Sequence, residues 1–252
     1  MLAVQKASRL FSRASAAAKR ALRSKMLPDP ARVLTIPPNI TACNVCGFIA
    51  KEGKPRLCPR CGKNQRQRSF KQLFLERLQT EIFGQGALDD GLLLSPGEVE
   101  RALLSSQLRR PIISSLYQTY HGASPFVRAD VRDLAPFRDE SFDYVQACNV
   151  LDYIPELEQA FRAVHRVVRS SGVFVFLIPE HNLLPGYERI SVSVHSSVTG
   201  NYWPDRTAVP LVRLGRRTLS ELLQQTGFAP EEVQLVEPLS QLTCTWWLCR
   251  RG

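Results

Sequence analysis

Residues 142–178 read FDYVQACNVLDYIPELEQAFRAVHRVVRSSGVFVFLI, and this stretch decides the fold. Phe142–Cys148 and Val173–Ile178 are short apolar runs of strand length. Between them lies Glu156–Arg169, where Leu157, Ala160, Phe161, Val164, Val167 and Val168 recur at helical spacing. Glu156 and Glu158 stand at its start, with Arg162, Arg166 and Arg169 toward its end, as the helix dipole favours, and Ser171-Gly172 closes it. Two such runs on either side of a helix read as buried parallel strands.

Working outward, Leu92–Leu94, Pro111–Ser115 and Phe126–Ala129 are further apolar runs upstream. Downstream, a helix over Thr218–Gln225 stops at Gly227-Phe228, and Val233–Val236 and Leu242–Cys249 are placed to close a sheet edge. Alternating strands and helices predict an α/β fold, a doubly wound Rossmann-like sheet whose ligand site lies beyond the carboxyl ends of its strands. The segment His181–Gly215 reads as long and irregular. It carries Tyr187, Arg189, Tyr202, Trp203, Arg206 and Arg213 for stacking or anion contacts, and is expected to act as a substrate lid. Upstream of the sheet, Phe70, Leu73, Phe74, Leu78 and Ile82 predict a helix over Gln67–Phe83 that joins two domains.

Ahead of that helix, two matched knuckles, Cys43-Asn-Val-Cys46-Gly47 and Cys58-Pro-Arg-Cys61-Gly62, have the spacing of a zinc ribbon. Two residues between paired thiolates let both sulfurs reach one ion about 2.3 Å away. The glycine after each pair supplies positive φ. A disulfide pair, unrelated thiols or a redox CxxC are the alternatives, and a matched four-cysteine pattern favours metal over all three. So short a ribbon cannot bury enough apolar surface to fold without the ion. The expected organisation is a basic N-terminal helix and linker at 1–39, a zinc ribbon at 40–66 and an α/β domain at 67–252.

The net charge of +10 is concentrated at the front: residues 1–70 hold 15 Lys and Arg against Asp29 and Glu52, leaving the remainder at −3. Anionic partners, a membrane surface or RNA, are therefore expected to meet residues 1–70. Residues 1–27 lack acids and are rich in Ala and Ser. They read as a basic helix on an anionic surface, as a mitochondrial or plastid transit segment, or as a merely solvated helix. Cys148, Cys244 and Cys249 lie in apolar context, which suits a reducing compartment and a cytoplasmic location, with peripheral membrane attachment through the front end. No run approaches eighteen apolar residues, so no helix spanning a membrane is expected.

The runs Ala129-Asp130-Val131-Arg132-Asp133-Leu134, Pro136-Phe137, Ser141-Phe142-Asp143, Asn149-Val150-Leu151-Asp152-Tyr153-Ile154-Pro155 and Val167-Val168-Arg169-Ser170-Ser171-Gly172 resemble the class I S-adenosylmethionine-dependent methyltransferases. They look most like the type 11 branch, and the cysteine ribbon resembles a bacterial group of these enzymes that carries one. The resemblance implies that Asp130 accepts a hydrogen bond from the cofactor's adenine amino group, with Val131 adding a backbone contact. It places Asn149 beside the methionine part, and Ser95-Pro96-Gly97 where the family has its glycine-rich loop. The family's acid after the second strand has no counterpart in Ser114-Ser115-Leu116-Tyr117-Gln118, and its two histidines are replaced by Asn149 and Tyr153. Read without the resemblance, Asp130, Asp133 and Asn149 are turn or cap residues and Asp152 is a helix-start charge. His181, with Glu180, is the candidate general base or, alternatively, a scaffold histidine. The implied activity is methyl transfer from S-adenosylmethionine to a small-molecule, sugar or lipid-linked acceptor. An RNA methyltransferase using the basic ribbon, and a non-catalytic binding protein of the same fold, are the other readings.

Overall fold

The structure is a computed structural model describing residues 40–116, 122–179, 182–184, 189–195 and 208–252, together with Asp29, Arg32, Leu34, Ile36 and Pro37 ahead of them. The expectations for the helix at 1–27 and for Tyr117, Gln118, Glu180, His181, Tyr187, Tyr202, Trp203 and Arg206 fall outside the described residues.

After the ribbon, helix α1 (Gln65–Leu73) runs on through a π-helical turn at Phe74–Leu78 to Glu81. Asn64 starts it with a full capping box: its side chain accepts from the Gln67 amide, and the Gln67 side chain accepts from the Asn64 amide. Strand β1 (Leu88–Leu94) leads to α2 (Glu98–Leu104), then β2 (Leu108–Ser114), β3 (Phe126–Val127) and β4 (Phe142–Cys148). A short 3₁₀ turn at Leu151–Tyr153 precedes α3 (Leu157–Val167) and β5 (Val168–Leu177). Then come β6 (Leu183–Leu184), β7 (Arg189–His195), β8 (Ala208–Gly215), α4 (Arg216–Gln225), β9 (Phe228–Val236) and β10 (Thr243–Arg251).

Seven strands form one sheet in the order β3-β2-β1-β4-β5-β10-β9. The first five are parallel, and β10 is antiparallel to both β5 and β9. The expected doubly wound sheet is therefore present, with the two late runs closing one edge. The strand order reverses between β1 and β4, which opens a crevice at their carboxyl ends.

Strand alternation sorts the core onto two faces. Phe174 and Phe176 of β5 point into a layer with Leu157, Phe161 and Val164 of α3 and Leu219 and Leu223 of α4. Val173, Val175 and Leu177 point the other way, toward Phe70, Leu73 and Phe74 of α1 and Val99 and Leu103 of α2. Each such fully buried side chain stabilises the fold by about 1.5–3 kcal/mol. Trp246 of β10 is wholly buried in the second layer, 5.4 Å from Phe70 by ring centroids, and its indole N–H donates to the Ser69 hydroxyl at 3.2 Å. The helix expected as a connector thus covers one face of the sheet. The four ribbon cysteines belong to the same buried layer.

One expectation needs correction. Residues 181–215 are not uniformly irregular: β6, β8 and β7 form a second, three-stranded sheet in that order, and Val212 and Leu214 of β8 reach the main core. The alternation Ile190-Ser-Val-Ser-Val194 carries the period-two strand signal.

Candidate active site and metal centre

The ribbon repeats its geometry at an offset of fifteen residues. The Gly47 amide donates to the Cys43 carbonyl at 2.8 Å and the Gly62 amide to the Cys58 carbonyl at 2.9 Å, both glycines at positive φ. The Cys43 amide donates to the Phe48 carbonyl and the Cys58 amide to the Lys63 carbonyl, and each knuckle ends in a bridge, Ala42 with Ile49 and Leu57 with Asn64. Cys43 Sγ lies 3.7 Å from Cys61 Sγ, and Cys46 Sγ lies 3.6 Å from Cys58 Sγ. All four are buried, and all four sulfurs lie within 4.8 Å of one another. Four sulfurs held about 2.3 Å from a central ion form a tetrahedron with edges of about 3.8 Å, so the donor set and its spacing fit zinc.

Lys63, Asn64 and the buried Arg68 tie this unit to the rest. Arg68 is fully enclosed, with Nε and Nη2 each 2.8 Å from a Glu237 carboxylate oxygen, and it also donates to the carbonyls of Lys63 and Arg56. Glu237, equally buried, accepts from the Leu239 and Ser240 amides and the Ser240 hydroxyl. Burial alone would raise the Glu237 pKa. The Arg68 guanidinium and these donors outweigh it and hold the carboxyl below its usual range.

The candidate active site is the β1/β4 crevice. Ser95, one residue past β1, has φ +50, and Asn149, one residue past β4, has φ +52. Left-handed backbone at two non-glycine positions flanking one crevice is strain of the kind found at ligand sites. The Ser95 hydroxyl is 3.0 Å from that of Ser115, just past β2, so hydroxyls occupy the rim where the acid is missing. Buried polar atoms without hydrogen-bond partners collect around these strand ends: Ser114 Oγ, Asn149 Oδ1, Asp152 Oδ1, Asn182 Oδ1 and both carboxylate oxygens of Glu100. Such atoms are costly unless a ligand or water meets them.

Asp152 is buried, not a solvated helix charge. Its Oδ2 accepts from the Asn182 amide at 3.2 Å, and burial pushes its pKa up to about 7 against that hydrogen bond. Burial likewise raises the Cys148 thiol, with the nearby Glu100 charge adding to it. Asp130 sits past β3 as expected, but its carboxylate is held in a local turn: Oδ1 accepts from the Arg132 amide at 2.9 Å, and the Arg132 guanidinium grips both oxygens. Burial would raise the Asp130 pKa, and the Arg132 contacts bring it below the usual value. Val131 is buried beneath this turn. Pro96 and Gly97 lead from Ser95 into α2. Gly97 has ordinary φ and serves by lacking a side chain, since a Cβ there would lie 2.4 Å from Glu100 Oε2, 2.8 Å from Arg66 Nη2 and 3.0 Å from Gln67 Nε2.

Residues 94–176, from the end of β1 to β5, match a methyltransferase domain family. These findings agree in what the chain is similar to, S-adenosylmethionine-dependent methyltransferases. The fold agrees: a solved S-adenosylmethionine-dependent methyltransferase from Mesorhizobium loti superposes with a TM-score of 0.51 at 17% identity, over 71% of this chain and 97% of that one. A Burkholderia thailandensis 1,6-didemethyltoxoflavin N1-methyltransferase, solved with its acceptor and S-adenosylhomocysteine, gives 0.51 at 15% identity, covering 75% of this chain and 88% of that one. Among curated proteins, "Sterol methyltransferase-like 3" of Botryococcus braunii is 26% identical over 64% of this chain and 38% of its own length. The demethylmenaquinone methyltransferase of Lysinibacillus sphaericus is 36% identical over 22% of this chain and 24% of its own. The chain thus spans well under half of these curated relatives. Within the matched region, the sequence-expected Ser95 and Gly97 follow β1 and Asn149 follows β4 at the same crevice, with Asp130 beyond β3. Sequence reasoning missed Glu100 and the burial of Asp152.

Proposed function

We propose that this protein binds S-adenosylmethionine in the β1/β4 crevice and transfers its methyl group to a lipid-linked small-molecule acceptor, with one structural zinc in the ribbon. The observation that carries this is the convergence of strained Ser95 and Asn149 and several orphaned buried polar atoms at the topological switch point of a methyltransferase domain. S-adenosylmethionine, when bound, supplies a methyl group on a sulfonium that is already a good leaving group, so the protein's task is alignment and proton removal. Ser95, Pro96 and Gly97 would bear the amino-acid end and Asn149 the region of the transferred group. Asp130 would face the adenine only by loosening its grip on Arg132, or would offer Arg132 instead. Asp152, its pKa lifted to about 7, is suited to hold a proton near the carboxyl end of β4.

A lipid-linked acceptor is supported by the names of the relatives, a sterol-type and a demethylmenaquinone methyltransferase. A cytoplasmic protein whose basic residues 1–27 rest on an anionic membrane suits such an acceptor. Incubation of full-length protein with methyl-labelled S-adenosylmethionine and a membrane extract tests the reading. Label that passes into the organic-soluble fraction supports it. Label confined to added RNA, with binding that falls steeply with salt, moves the assignment to nucleic acid.

A further inference from the structure

Among the described residues, the exposed large apolar side chains are Ile40, Ile49, Leu57, Val236 and Leu242, with Ile49, Leu57 and Val236 more than half exposed at 58%, 59% and 54%. The first three belong to the ribbon, and the other two flank the turn between β9 and β10. Arg68 joins the two places. It donates to the carbonyl of Arg56, next to Leu57, at 3.1 Å, and to the Glu237 carboxylate at 2.8 Å, while the Glu237 amide donates to the Leu242 carbonyl at 3.0 Å. Strand β9 runs parallel to β5, both being antiparallel to β10, so Val236 ends β9 on the edge of the sheet where β1 and β4 end and the crevice opens. The apolar region and the crevice therefore share one edge of the molecule.

Cations surround that region. Between Ile49 and Leu57 the chain reads Ala50-Lys51-Glu52-Gly53-Lys54-Pro55-Arg56, and Lys51, Lys54 and Arg56 are exposed, as is Arg60 just beyond. Glu52 is the only acid between 40 and 64. Aliphatic side chains ringed by lysine and arginine make a surface that settles into the headgroup layer of an anionic bilayer. Two other occupants fit less well. None of the five apolar side chains is aromatic, so nucleic acid would find phosphate contacts but no stacking platform. A second copy of this chain would bring like charges together. We propose that the ribbon loop 49–57 and the β9–β10 turn form a docking face for an anionic lipid surface, which turns the crevice mouth toward the bilayer. This contact is distinct from attachment through residues 1–27, because it lies beside the site. Its purpose rests on the lipid-linked reading of the crevice, but vesicle binding is measured without S-adenosylmethionine, so either can fail alone.

Sedimentation of zinc-loaded, full-length protein with vesicles of phosphatidylcholine, or of phosphatidylcholine mixed with phosphatidylglycerol, tests the face. Wild type should bind only the anionic vesicles, and less at high salt. Ile49→Ser combined with Leu57→Ser should weaken that binding at least about tenfold, through loss of the apolar area withdrawn from water. Lys51→Gln combined with Lys54→Gln should weaken it about 10- to 30-fold, because two cations leave the lipid surface. Both sets of side chains are exposed, so zinc content and the unfolding midpoint should stay at wild-type values. Leu242→Ser lies outside the ribbon and should weaken binding about threefold or more, which decides the matter if the ribbon variants lose their zinc. Binding that stays within about twofold of wild type in the ribbon variants and in Leu242→Ser, as it would if residues 1–27 did all the holding, overturns the face. So does a wild type that binds neither vesicle, or one that binds an RNA oligonucleotide instead through the same residues.

Discussion

Replacing Glu237 with glutamine should destabilise the protein by about 3–5 kcal/mol, the usual consequence of stranding one member of a buried ion pair. Arg68 is fully enclosed and takes two 2.8 Å contacts from Glu237, and its other acceptors are backbone carbonyls of Lys63, Arg56 and Pro55. Glutamine preserves the shape and one acceptor oxygen while removing the one carboxylate that, among the described residues, pairs with that guanidinium, and it cannot accept all of the bonds from Leu239 and Ser240. A loss of this size is a large part of the roughly 5–15 kcal/mol that holds a domain folded. It should be read in urea unfolding by the fluorescence of Trp246, which is buried against Phe70. Protease cleavage within 40–66 should rise in parallel, because Arg68 gathers the ribbon's carbonyls. The pH dependence follows from the same pair. The Glu237 pKa lies below its unfolded value of about 4.3, so its contribution is complete above that pH and is lost as pH falls through the folded value. The variant should lack that part of the acid limb. A loss under about 1 kcal/mol, or an acid limb identical to wild type, would refute the reasoning.

Metal analysis should return one zinc per chain, and Cys58→Ser should abolish it and open residues 40–66 to protease. Because the cysteines share a buried layer with Phe70, Val175 and Trp246, chelation should also lower the unfolding midpoint of the sheet, and an unchanged midpoint would count against the shared core. Asp152→Asn should stabilise the protein at pH 8 by on the order of 2–4 kcal/mol. The unfolded aspartate loses its proton near pH 3.9, while the folded one keeps it to about 7, so wild-type stability falls as pH rises between those values and the variant's should not. Equal stability at pH 8 would show Asp152 to be solvated. Gly97→Ala should weaken S-adenosylhomocysteine binding at least about tenfold while shifting unfolding free energy by less than about 1 kcal/mol, since its φ is ordinary and the clash is with the tips of Arg66, Gln67 and Glu100.

The sheet was legible because its strands are buried on both faces and read as continuous apolar runs. Phe142–Cys148 and the α3 stripe have the bounds expected of them to within a residue or two. Helix α2 was not legible: it is seven residues long and carries Glu98, Glu100 and Arg101, which look like surface charges until the fold buries Glu100 beside Arg66 of α1. The small sheet of β6, β7 and β8 was masked by the polar residues and proline around a short alternating run. At the site, the cysteine spacing announced itself because ligands of one ion must be local pairs. Arg66 and Glu100 lie 34 positions apart, and Arg68 and Glu237 lie 169 apart, so neither pairing leaves a pattern along the chain. Asp130 shows the opposite limit: its partner Arg132 is two residues away, yet nothing in the spacing says whether an acid beside an arginine is held by it or left for a ligand.

Titration of the zinc-loaded, full-length protein with S-adenosylhomocysteine tests the central claim most directly. The account predicts saturable binding at one site per chain, weakened in Gly97→Ala by at least about tenfold. An absence of binding at millimolar ligand would contradict it and leave a methyltransferase fold without its cofactor.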